Sequence, residues 1–492
     1  MRATLALLLL ASLLAGTARA QDGEQADPAR ERAPVEAPAS EPAEPAPGAT
    51  TGGERETAPA APVRQPGEAP SIPRRALPDY DGRDEPGPSA EEVLLWIPRI
   101  LFFPVHLVFE YVLRQPIGWL LTTAERENWT ALVIDFFTWS ERKAGLVPTA
   151  FFDFGFQPSV GLYLWWNDLG APGNQLRAQV AFGGVDWLRA TLSDRVRTSR
   201  ETELAFTADA WRRPDYVFQG LGWSSRDSER SRYLHSYVEG RADFRVRPWR
   251  ASELLFSAGV RWNDFEPGGY AFASNDQSLG DAVMQGLYDL PPGFDGYTAY
   301  YQRLELTIDT REDRPAPGHG LRVEAFAHQG FDLEQAIARR WLRYGGALGA
   351  FVDVGSNRVL ALFGNVELAD PLGEAEVPFT EQAQLGGGPL VMSGFLRGSL
   401  IGRSAAALTL EYRYPIWVFL DGSLHVSVGN VFGEHFGDFD LERLRTSFGL
   451  GFRSIGDRDQ SFNVLVALGS APFALGGDIE SIRLVVGSQQ GF

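Results

Sequence analysis

The feature that most constrains this chain is an alternation of apolar and polar residues with a period of two, repeated from about Val147 to Phe492. Between Arg232 and Val246, the residues Leu234, Ser236, Val238, Gly240, Ala242, Phe244 and Val246 share one side. Tyr233, His235, Tyr237, Glu239, Arg241, Asp243 and Arg245 share the other. Leu254, Phe256, Ala258, Val260 and Trp262 oppose Glu253, Ser257, Gly259 and Arg261 in the same way, and Leu304, Leu306 and Ile308 oppose Arg303, Glu305, Thr307 and Asp309. Further on, Leu408, Leu410 and Tyr412 oppose Thr409, Glu411 and Arg413, and Phe448, Leu450 and Phe452 oppose Ser447, Gly449 and Arg453. A soluble sandwich has no use for so charged an inner or outer face. A membrane barrel sets one face against lipid and the other against a wet lumen. The expected fold is therefore all-β, a transmembrane antiparallel β-barrel of about 16 strands, preceded by a disordered tether and a short helical segment.

Connector lengths agree with that reading. A barrel entered from the periplasm has short even-to-odd connections, with its long loops on the opposite parity. The turn-rich stretches 183–186, 213–215, 247–250, 311–320, 355–357, 415–422 and 454–460 are expected to be the short set, and 264–296 and 371–403 the long loops. The first strand is placed at about 159–166 and the last at 480–492. Gly487 and the C-terminal Phe492 fit a closing strand that serves as the barrel's assembly signal.

The N-terminus points to export. Arg2, the apolar run Leu5–Leu14 and the small residues Ala18 and Ala20 form a signal peptide over residues 1–20, and the run is too short for a membrane-spanning helix. Residues 21–90 are rich in Pro, Ala, Glu and Gly and are expected to be a disordered periplasmic tether. Residues 91–146 turn strongly apolar. Pro98, Arg99, Pro104, His106 and Glu110 interrupt the run, and each charge at a helix centre costs about 2.5–3.5 kcal/mol. Broken helices at the membrane interface or the barrel mouth are the favoured reading. An inner-membrane anchor is the alternative.

Composition excludes several functions. With no cysteine, the chain has no thiol nucleophile, disulfide, cysteine zinc site or lipid-modified cysteine. A net charge of −18 argues against nucleic acid as a partner. No G-x-S-x-G, H-E-x-x-H or Walker loop occurs, and the six His lack ligand spacing, so no enzyme activity, cofactor or metal is expected. Gly345-Gly346-Ala347-Leu348-Gly349 lies within a strand pattern and is read as a bend or a thin lipid-facing spot. The lumenal carboxylates Glu239, Glu305 and Glu411 are expected to pair with Arg on neighbouring strands.

Three stretches resemble the bacterial surface antigen family of BamA- and TamA-type barrels. The run from Asp309 through Arg311 and Pro317 to Gly320 resembles the family's D-x-R…P…G periplasmic turn. Val377-Pro378-Phe379-Thr380-Glu381, then Leu385-Gly386-Gly387, then Gly394-Phe395 resemble its long sixth extracellular loop, which folds back into the lumen. Leu410 to Ile416 resembles the strand that follows. The resemblance covers about residues 145–492. It implies outer-membrane residence and a role in inserting, assembling or translocating outer-membrane proteins. The implied partners are unfolded outer-membrane clients, outer-membrane lipids including lipopolysaccharide, and the machinery that inserts this barrel itself. A passive pore or a structural anchor barrel is the alternative.

The departures matter as much. The family's Arg directly before Gly-Phe is Ser393 here, and its carboxylate partner aligns near Ser427, so both halves of a lumenal ion pair are expected to be absent together. Arg397, four residues on, is expected to reach Glu411 instead, beside Arg413. Between residues 21 and 146 no strand–helix–helix–strand pattern of a POTRA module is legible, which suggests a subclass without those modules.

Overall fold

The structure, a computed structural model, describes residues 135–249, 252–268, 276–311, 319–355, 358–417, 420–454 and 461–489. The expected signal peptide, tether and most of the apolar 91–146 segment, together with Pro317 and Phe492, lie outside the described residues.

Sixteen antiparallel strands close a barrel. In chain order they are β1 (Ala144–Asp153), β2 (Ser159–Asn167), β3 (Asn174–Gly184), β4 (Trp187–Arg197), β5 (Thr202–Phe218), β6 (Ser231–Val246), β7 (Glu253–Glu266) and β8 (Tyr297–Asp309). Then follow β9 (Gly320–Asp332), β10 (Arg340–Asp353), β11 (Val359–Pro371), β12 (Ser404–Trp417), β13 (Leu420–Phe432), β14 (Arg445–Ser454), β15 (Ser461–Ser470) and β16 (Ile479–Gln489). Each pairs with its neighbours in sequence, and β16 returns to β1. Closure gives every strand a neighbour on both sides, as strands in hydrocarbon require, although the β1–β16 ladder covers only part of those two edges.

The alternation sorts as its chemistry demands. Val180, Phe206, Phe256, Leu304, Leu348 and Leu408 stand exposed on the outer face, where large apolar side chains are stable only against lipid. The polar residues Thr191, Glu239, Asp243, Thr409 and Glu411 are buried inside. Of the three lumenal carboxylates, Glu239 pairs across strands with Arg261 at 3.3 Å. Glu305 pairs with Arg303 and Glu411 with Arg413, each on its own strand. This corrects the cross-strand expectation: residues two apart on one strand share a face, so an Arg there already reaches the carboxylate.

Connector parity holds for the long loops, 267–296 and 372–403, and for most of the short ones. Two assignments are corrected. Residues 185–186 join β3 to β4 and so fall on the long-loop side. Residues 213–215 are no turn but a register shift inside the 17-residue β5. Pro214 cannot donate to the ladder, and a bulge accommodates it there. The first strand is also corrected, since 159–167 is the second. Strand β1 was missed because it carries Pro148 and shows no lumenal charge until Asp153.

The lumen holds a packed cluster and a cavity. At the long-loop end, Phe218, Tyr233, Phe265, Phe294, Tyr297, Trp341 and Phe379 form one buried cluster, with Leu279 and Ile401. Towards the short-turn end lies a cavity of about 560 Å³, lined by alternating Arg and carboxylates such as Arg195, Glu203, Arg241, Asp243, Arg245 and Glu253.

Candidate functional site

The 372–403 loop folds inward. Its Val377 and Phe379 join the aromatic layer, and a two-stranded hairpin, Ala383–Leu385 with Leu400–Gly402, carries the chain down the barrel wall. Glu381, 3% exposed, anchors the descent: Tyr297 Oη donates to it at 3.2 Å and Arg261 at 3.3 Å, with His328 3.7 Å away. Burial pushes the Glu381 carboxyl up, but Arg261, then His328 and Arg343, more than offset it and hold the group below the usual carboxylate range.

The loop tip carries the motif positions. Gly387 N–H donates to the Phe395 carbonyl at 2.9 Å and closes a turn in which Gly386 and Gly387 have φ of 86° and 75°. Gly394 lies so close to β15 that a methyl would collide with the Leu468 backbone. Its N–H donates to Ser447 Oγ at 2.8 Å, and Phe395 is buried beside it. Ser393 Oγ lies 2.6 Å from His425 Nε2, and Ser427 Oγ donates to the Leu390 carbonyl at 3.2 Å. Short hydrogen bonds of Ser393 and Ser427 thus occupy the region where the sequence leads one to expect no ion pair.

The expected Arg397–Glu411 contact does not form. Glu411, 1% exposed, is held by Arg413 Nη2 at 2.8 Å, whereas Arg397 is exposed and makes no ion pair with it. The Arg397 backbone and Cβ instead lie against Gly387 in the loop-tip turn. The periplasmic turn forms at its described residues. Asp309 accepts from Arg311 Nε at 2.9 Å and Nη2 at 2.6 Å and from the Arg311 N–H at 3.0 Å, and Gly320 sits against Thr310.

Among the described residues, the seam between first and last strands is the shortest ladder of the barrel. Only Phe151, Phe152 and Asp153 among the described residues pair with Gly487, Val486 and Val485, and one further bond runs from Phe154 N–H to the Leu484 carbonyl at 2.7 Å. The other ladders hold from seven pairs (β14 with β15) to fifteen (β5 with β6). In continued register Ala150 and Thr149 would face Ser488 and Gln489, but the pairing stops. Side chains add contacts at the paired end, one across the seam and one from β16 to the loop. Arg483 donates to both carboxylate oxygens of Asp153, at 2.9 and 2.7 Å, and Ser481 Oγ donates to the Gly394 carbonyl at 2.9 Å. Sequence reasoning missed Arg483, Asp153, Ser481, His425 and Ser447. A single charge inside an otherwise apolar strand, as in Ile482-Arg483-Leu484 and Phe152-Asp153-Phe154, was the available signal.

A closed sixteen-stranded membrane barrel with an inward-folded loop and a short closing seam defines the class. Residues 173–456, more than half of the chain, match the Omp85 superfamily domain, and the protein belongs to that family of outer-membrane barrels. Similar solved structures include BamA from Haemophilus ducreyi lacking POTRA domains 1–3, at 15% identity and a TM-score of 0.48 over 70% of each chain. CdiB from Escherichia coli is similar at 12% identity and a TM-score of 0.46, over 70% of this chain and 63% of that one. CdiB from Acinetobacter baumannii is similar at 11% and 0.43, over 70% and 60%. The chain thus spans less than two thirds of the CdiB chains. No curated protein matches.

Proposed function

We propose that this Omp85 barrel inserts or translocates outer-membrane proteins, with the β1–β16 seam as the working element. The observation that carries the reading is the seam's three residue pairs against seven to fifteen in the other ladders, counted among the described residues. Each ladder step withheld from closure lowers the cost of parting the strands, and parted strands expose N–H and C=O groups that template an incoming strand. The outward apolar rows then face outer-membrane lipid, including lipopolysaccharide. Against the passive-pore alternative stands the buried aromatic cluster packed inside the barrel at the long-loop end. Folding of a urea-denatured outer-membrane protein into liposomes, with and without the reconstituted chain, tests the proposal. A several-fold acceleration is expected. An unchanged rate with barrel shown to be folded removes the reading.

A further inference from the structure

We propose that Arg483 is a latch that couples the two moving parts, so that the loop tip leaves the barrel wall when the seam opens. The inference rests on the seam reading above and adds to it a side chain and a partner segment.

The geometry of one guanidinium carries the argument. Its Nε and Nη2 grip Asp153 of β1, its Nη2 also donates to the Gly387 carbonyl at 3.0 Å, and its Nη1 donates to the carbonyls of Gly388 at 3.1 Å and Ser393 at 3.4 Å. An Arg has five N–H groups in a fixed fork, and here all five have an acceptor. Two lie on the first strand and three on the loop, while the Arg itself belongs to the last strand. Arg483 is 3% exposed and Asp153 6%. A charge that deep is stable only while paired and fully hydrogen-bonded.

Loss of either set of acceptors therefore weakens the other. If the strands part, Asp153 departs, and the guanidinium must turn towards water or another anion and release the loop carbonyls. If the loop departs, three N–H groups are orphaned and the hold on Asp153 loses its orientation. This is a coupling free energy between seam and loop, and it is reciprocal. Because the backbone supplies only three residue pairs, one bidentate side-chain pair is a large share of what closes the seam. The turn at Gly386 and Gly387, whose φ values suit no bulkier residue, brings the Gly387 and Gly388 carbonyls to the Arg.

Amide hydrogen exchange on the full-length protein in lipid nanodiscs tests the latch directly. Asp153→Asn removes the seam anion and touches no loop contact. The latch predicts that amides at 151–154 and at 386–396 both exchange faster, on the order of tenfold, while the β8–β9 ladder keeps its wild-type rate. Faster seam exchange with an unchanged loop overturns the coupling, as does no change in either. If that variant does not fold, Gly394→Val evicts the loop without altering Asp153 or Arg483. By reciprocity the seam amides must then loosen, and an unchanged seam overturns the latch. A chain with coupled exchange but no effect on client folding keeps the latch and loses the insertase proposal. An active chain with uncoupled exchange does the reverse.

Discussion

Arg483 on the last strand and Asp153 on the first form a two-bond ion pair, at 2.9 and 2.7 Å, across the junction where the barrel closes. Truncating one partner leaves the other buried and unpaired. Arg483→Gln is expected to cost about 3–5 kcal/mol of folding stability. The double variant with Asp153→Asn should cost clearly less than the sum of the two single changes. Urea titration of the barrel in lipid vesicles measures the cycle, and additive costs would show that the pair does not act as a unit.

Gly394 sits where the loop tip meets the β15 backbone with no space for a side chain. Gly394→Ala is expected to destabilise the docked loop by about 1–3 kcal/mol, because neither the Leu468 backbone nor the tip can yield without losing hydrogen bonds. Protease cleavage within 386–399 should rise in that variant. Gly388→Ala, at a position with open space around it, should leave cleavage unchanged.

Glu411 draws its charge partner from its own strand. Glu411→Gln should destabilise the barrel because Arg413 is left half-buried and unpaired. Arg397→Ala, which removes an exposed side chain, should be within about 0.5 kcal/mol of wild type, and the two changes should add. Coupling between Arg397 and Glu411 in such a cycle would contradict the observed geometry.

Acid should loosen the loop through Glu381. Its carboxyl lies below the usual 4.5 in the folded chain, so the stability it contributes is fully present above 4.5 and is lost as pH falls through the lowered folded value. Amide exchange in the 377–385 segment, corrected for intrinsic rates, should accelerate below about pH 4.5. In Glu381→Gln that added acid sensitivity should vanish, since the titrating group is gone.

The barrel was legible because period-two alternation is a local property that every strand repeats. What escaped the sequence was whatever departs from that repetition. Strand β1 shows no lumenal charge until its last residue, Asp153, and carries Pro148. The bulge at Pro214 looked like a turn, because proline and charge mark both. The site was half legible. Gly387, Ser393, Gly394 and Phe395 stood in a recognisable order, and the structure brings them together at the loop tip. Their partners on β13, β14 and β16 depend on how far a 32-residue loop descends and on register across the closing seam, neither of which spacing encodes. The Arg397–Glu411 expectation failed for the same reason, since nearness in sequence to Ser393 said nothing about which wall the side chain faces.

The central claim, that the seam must part for clients to fold, is tested most directly by locking it. Phe152 and Val486 face each other across the β1–β16 ladder, and the chain has no native cysteine, so a Phe152→Cys, Val486→Cys variant can form one disulfide there. The account predicts that the oxidised variant folds the denatured client no faster than empty liposomes, and that reduction restores the acceleration. Full acceleration in the oxidised form, with the disulfide shown to be intact, would contradict it.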